Sequence, residues 1–213
     1  MIPRSLVAVA AIAILTTGCA KRGEIDSSGG ITAVRSACPS VGVPAGTGDI
    51  TLFDPAGART ANAIDVVAAI TNVRSTCNDT ADPIVTTVTF DVLARRTRTD
   101  AARDVTLPYY SAMVQGGTQV AAKRVGQVTI RFPAGQARAQ ASVTASGSVD
   151  RAAATLPQEV RDQITRRRKA GEDDAAIDPL TNPTVREAVR RATFEALVGF
   201  QLTDEQLRYN VTR

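Results

Sequence analysis

Histidine and tryptophan are absent from the 213 residues of this chain. Without an imidazole, Ser-His-Asp and Cys-His activation of a nucleophile are excluded, and so are the commonest zinc ligand and the side chain that most readily carries protons near neutral pH. Ser-Lys hydrolysis is excluded as well. The lysines are Lys21, Lys123 and Lys169, and none has a serine three residues before it. There is no Gly-x-Ser-x-Gly elbow and no Gly-x-x-x-x-Gly-Lys phosphate loop; Gly46-Thr47-Gly48 reads as a turn into a strand. No apolar run is long enough to cross a bilayer. The longest, Leu6 to Leu15, reaches about half of the roughly 30 Å hydrocarbon core as a helix. A strong excess of one charge is also missing. The formal net charge is +4, spread along the chain, which is no nucleic-acid footprint.

What is present begins at the N-terminus. Arg4 gives a positive n-region, Leu6 to Leu15 an apolar h-region, and Leu15-Thr16-Thr17-Gly18-Cys19 places small residues before a cysteine. This layout resembles the lipobox signal of bacterial lipoproteins, with Thr16 where that pattern usually has an aliphatic residue. The resemblance implies that residues 1–18 are a removed signal, and that the Cys19 thiol carries a diacylglyceryl group on an acylated amino terminus. That is a lipid anchor worth about 0.8 kcal/mol per buried methylene. Ala20 follows the cysteine where an Asp would retain the protein at the inner membrane, so the implied location is the outer membrane of a Gram-negative bacterium, facing the periplasm. The alternative is an ordinary cleaved signal that leaves Cys19 as a free thiol.

Residues 19–30 are polar and rich in Gly and Ser and read as a tether. Residues 31–213 are long enough for one domain with a real core. The two remaining cysteines, Cys38 and Cys77, pair in an oxidising compartment. Their bridge closes a loop of about 40 residues and contributes roughly 4 kcal/mol through chain entropy. No Cys-x-x-Cys motif is present, so the pair reads as a staple and not as a redox centre.

From Asp49 to Val149 the apolar period is two. Thr87 to Ala94, Gln127 to Phe132 and Arg138 to Ala145 alternate polar and apolar residues, with turns at Gly116-Gly117 and Pro133-Ala134-Gly135. With Asp49 to Phe53, Ile64 to Val73, Val105 to Val114 and Val120 to Val125 this gives about seven strands, the pattern of an antiparallel sandwich over roughly 38–149. In strand pattern it resembles an immunoglobulin-like or fibronectin-like sandwich, without the core Trp and inter-sheet Cys spacing of true immunoglobulin domains. Residues 150–213 turn helical. Thr155 and Gln158 suggest a capping box ahead of Val160 and Ile164. A second helix is expected from Asn182-Pro183, carrying a stripe of Val185, Ala188, Val189, Ala192 and Ala196 up to Gly199. The tail after Gly199 is expected to return to the sheet.

Candidate sites are few. Glu172, Asp173, Asp174 and Asp178 lie beside four cations and lack the Asp-x-Asp-x-Asp-Gly spacing of a calcium loop, so they read as a solvated loop; no metal and no cofactor is expected. The run Arg166, Arg167, Arg168 and Lys169 reads as a helix C-terminus, with contact to anionic lipid head groups as the alternative. Tyr109 and Tyr110 should face opposite sides of a strand. The expected function is a non-catalytic, membrane-anchored envelope lipoprotein that binds another envelope protein through a sheet edge or the helical pair. A carboxylate-dependent glycan hydrolase and a ligand carrier or inhibitor are the alternatives. Facing carboxylates in a deep pocket would mark the first, and an apolar cavity between the sheets the second.

Overall fold

The computed structural model describes residues 36–166, 171 and 177–212. Eight strands run as β1 (Ser40–Gly42), β2 (Asp49–Phe53), β3 (Ile64–Cys77), β4 (Ile84–Arg96), β5 (Arg103–Gln115), β6 (Gln119–Phe132), β7 (Arg138–Val149) and β8 (Phe194–Phe200). Helices α1 (Arg151–Ala154), α2 (Gln158–Thr165) and α3 (Pro183–Arg191) lie between β7 and β8, and α4 (Asp204–Thr212) follows β8. The strands form two sheets of four, ordered β1-β8-β5-β6 and β2-β3-β4-β7, antiparallel except for the parallel pair β1 and β8. The protein is thus mainly β with C-terminal helices, in a sandwich-like arrangement.

Period-two patterning explains the core. Along β4, every second residue from Ile84 to Ala94 is buried, and Phe90 and Val92 meet Leu107, Ile130, Phe132, Val198 and Phe200 of the other sheet in one apolar cluster. Cys38 and Cys77 are bonded, with Cα atoms 6.0 Å apart. The bridge joins the segment just before β1 to the end of β3 and so ties one sheet to the other.

Several expectations need correction. Residues Gln119 to Phe132 form one strand, not two. Gly126 does not break it, because the Tyr109 ring lies over that glycine: a Cβ there would come within 2.6 Å of the ring. Ala192 and Ala196 do not extend the α3 stripe. The helix ends at Arg191, and Phe194, Ala196, Val198 and Phe200 point inward from β8; alanine fits either period and hid the switch. Thr155 is no N-cap. It is the C-cap of α1, and Pro157 opens α2 without a side-chain bond. Asn182 does cap α3, its side-chain oxygen accepting from the Thr184 amide at 2.9 Å. A capping box missed in the sequence starts α4: Thr203 Oγ1 accepts from the Gln206 amide while Gln206 Oε1 accepts from that of Thr203. Helix α4 lies on β2, where Tyr209 packs edge-on against Phe53 at 5.2 Å and the Asn210 amide donates to the Gly46 and Asp49 carbonyls.

Candidate functional site

Charged side chains converge at the sandwich end formed by the β2–β3, β4–β5 and β6–β7 connections. Arg96 is the last inward residue of β4 and only 3 % exposed. Its guanidinium donates to the carbonyls of Gln136 (2.9 Å), Ala101 (2.7 Å), Pro133 (2.8 Å) and Thr99 (3.3 Å), and lies 5.1 Å from the centroid of Phe132. It therefore pins two loops. Beside it, buried Asp65 accepts a two-pronged pair from Arg103 at 2.8 and 2.7 Å, with Arg98 at 3.8 Å and Arg98 also bonded to Asp54.

These groups border a hollow of about 630 Å³, yet its electrostatics run against acid catalysis. The Arg103 hydrogen bonds hold the Asp65 carboxyl below its ordinary range; burial opposes this, and the charges of Arg103, Arg98 and Arg96 reinforce it. A general acid of a glycosidase needs the opposite shift. Because the folded-state pKa of Asp65 is depressed, the stability it contributes is fully present above the unfolded carboxyl value near 4 and disappears as pH falls through the folded one. Urea unfolding of the parent and of Asp65→Asn should therefore differ most at neutral pH, and the difference should shrink as pH falls below the ordinary carboxyl range. A difference that persists unchanged into acid would remove the ion pair from the account.

The second arrangement is the edge of β6. Among the four edge strands β1 has three residues, β2 has five and carries α4, and β7 has 12, with exposed and half-buried residues alternating along it. β6 has 14 residues, and its outer edge pairs with no strand. All of Gln119 to Val125 is exposed, with Val120 at 59 % and Val125 at 61 %. Lys123 lies over the outward ring of Tyr110 at 4.9 Å, whereas Tyr109 points inward against Phe90, so the two tyrosines do split between faces. Between the sheets, at the mouth bounded by Arg124 of β6 and Gly147 of β7, the space measures about 70 Å³.

The remaining sequence candidates are scattered. Asp178 caps the turn Pro179–Thr181 by accepting from the Leu180 amide at 2.8 Å. Arg166 closes α2 as its C-cap residue. Arg167, Arg168, Lys169, Glu172, Asp173, Asp174 and Cys19 lie outside the described residues. Helices α2 and α3 bury Val160, Val185 and Ala188 against each other. Among the described residues no group of three or more carboxylates and cysteines could hold a metal ion. Sequence reading missed Arg96 and Asp65. The signal for Arg96 was there: the inward period of Phe90, Val92 and Ala94 lands on it next. No protein-family model matches the chain, and no curated protein or solved structure matches it.

Proposed function

We propose that the protein is a lipid-anchored, non-catalytic module of the bacterial envelope that engages another envelope protein through the free edge of β6. The observation that carries this reading is the stretch Gln119 to Val125, seven consecutive exposed residues on a strand that pairs with β5 on one side and with no strand on the other. Such an edge offers a ladder of backbone donors and acceptors to an extended segment of a partner. The Cys38–Cys77 bond fits an exported protein, as does the lipobox-like segment that ends at Cys19. A carrier reading gains little from the inter-sheet space of about 70 Å³, since small-molecule sites run to about 300–1,000 Å³.

The strand order favours the immunoglobulin/fibronectin-like type. With β3, β4, β5, β6, β7 and β8 taken as A, B, C, C′, E and F, A-B-E share one sheet and C′-C-F the other, and β1 fills the place of G while running parallel to β8. In that arrangement C′ and E are the two long outer edges, and C′ is the one with seven consecutive exposed residues.

Two measurements in cells test the reading. Cys19→Ser should move the chain from the membrane fraction to the soluble periplasm or stall its processing, and a mature chain with an unmodified Cys19 by intact mass removes the anchor. A photo-crosslinking residue at Val120 or Val125 should give one discrete adduct with an envelope protein, while one at Thr144 on β7 gives none. If neither β6 position yields an adduct, the β6 contact fails.

A further inference from the structure

The outer face of the other sheet carries an arrangement that the β6 contact does not use. Arg95 of β4 and Arg138 of β7 are direct cross-strand partners. Like charges placed opposite each other oppose the fold, and the contrast within the molecule is plain, because in β5 and β6 the cross-strand partner of Arg131 is Asp104 and the two form an ion pair. Among the described residues neither the Arg95 nor the Arg138 side chain has a hydrogen bond or ion pair. The acids on this face do not answer them. Asp91 is held by Asn72 and Ser142, each at 2.7 Å, and Asp49, at the far end of the neighbouring row on β2, forms no ion pair with either arginine.

Beside the two arginines the surface becomes apolar and concave. Val67 is the partner of Arg95 on β3; in the next outward row, about 7 Å along the strands, Ala69 faces Leu93, which is 47 % exposed. The connection that ends in Ile64 supplies a wall, and the hollow measures about 850 Å³. From Arg138 across β4 to β3 is about 10 Å at the usual strand spacing. The floor thus has two charged forks at one end and an apolar bed that runs away from them for the length of a short alkyl chain.

We propose that this hollow binds a small anionic amphiphile: a phosphate or carboxylate head gripped by Arg95 and Arg138, with an apolar body of about eight carbons laid over Val67, Ala69 and Leu93. Paired guanidinium forks match the oxygens of such a head, and its charge removes the repulsion between the two arginines. Binding therefore relieves an unfavourable contact built into the free protein. The site is independent of the β6 edge and lies on the opposite sheet.

The test uses the full chain carrying Cys19→Ser, with octyl phosphate as the probe, inorganic phosphate as the head alone and octyl glucoside as an uncharged amphiphile. Calorimetry should show saturable one-to-one binding of octyl phosphate, with both controls weaker by about tenfold or more. Arg95→Gln combined with Arg138→Gln should weaken octyl phosphate by about tenfold or more while Tm stays level or rises, since a like-charge pair has been removed. Arg138→Glu should raise Tm, by setting a carboxylate opposite Arg95, and abolish binding. A merely structural role for the pair would move the first quantity and not the second. Absence of saturable octyl phosphate binding, equal binding of inorganic phosphate or octyl glucoside, or undiminished binding by the Gln double variant overturns the proposal. Should Arg138→Glu fail to fold, the Gln double variant decides.

Discussion

Arg96→Met should destabilise the protein by about 3–5 kcal/mol, the scale for removing one partner of a buried charged network. Methionine keeps the apolar stem and roughly the volume, so the loss isolates the guanidinium. Four carbonyls on two loops, those of Thr99 and Ala101 after β4 and of Pro133 and Gln136 after β6, lose the guanidinium at once, and of these Thr99 and Pro133 keep the amides of Gly135 and Gln136 as donors. Each buried acceptor left without a partner costs about 1–3 kcal/mol, reduced here wherever a loop can open to water. Arg96→Lys should recover only part of the loss, because an ammonium with three donors on a single nitrogen cannot span four carbonyls in a plane. Urea unfolding gives the free energy, and amide hydrogen exchange over 97–102 and 133–137 locates the damage. A loss under about 1 kcal/mol, or exchange that speeds up evenly across the sheets, would show that the loops do not depend on Arg96.

Arg96 also marks the limit of what the sequence discloses. A period of two tells which residues face inward but not what an inward residue will meet. Phe90, Val92 and Ala94 announce a core, and the same period carries on to Arg96, where the core ends and loop carbonyls begin. An arginine at a strand end reads as solvated unless its partners are known, and those partners lie up to 40 residues away. Asp65 was hidden in the same way, since its partner Arg103 is 38 residues on. Local signals fared better. The turns at Gly116-Gly117 and Pro133-Ala134-Gly135, the cap at Asn182 and the split of Tyr109 from Tyr110 each depend on a few neighbouring residues. The cysteine pairing was legible by elimination, once Cys19 is assigned to the proposed anchor. β8 was not, because Ala196, following Ala192, continues a helical stripe and only the tertiary gap between β1 and β5 selects a strand. The opposition of Arg95 and Arg138 depends on strand register, which no single stretch of sequence contains.

Phe90→Ala should cost about 3–5 kcal/mol, a large share of the roughly 5–15 kcal/mol that holds a domain of this size together. Phe90 is 1 % exposed and sits mid-strand on β4, one of the two central strands of its sheet. Its ring meets Tyr109 edge to face across the sandwich, at 5.6 Å and 76°. Phe90→Leu keeps much of the apolar area and gives up the ring contact, so it should cost less, with about 0.5–1.5 kcal/mol traceable to the aromatic pair. Gly126 makes the test sharper. A Cβ at that position would meet the Tyr109 ring at 2.6 Å, so Gly126→Ala has to displace the tyrosine from its place over β6. In the parent, Phe90 packs edge-on against that ring and restricts where it can go. In Phe90→Ala the ring can shift into the vacated space, and the alanine at 126 becomes less costly. The double-mutant cycle should therefore show the pair losing less stability than the two single losses added, by about 0.5–3 kcal/mol. Strict additivity in urea unfolding would mean that Tyr109 does not couple β6 to the core. A small loss for Phe90→Ala alone would mean that the centre of the sandwich lies elsewhere.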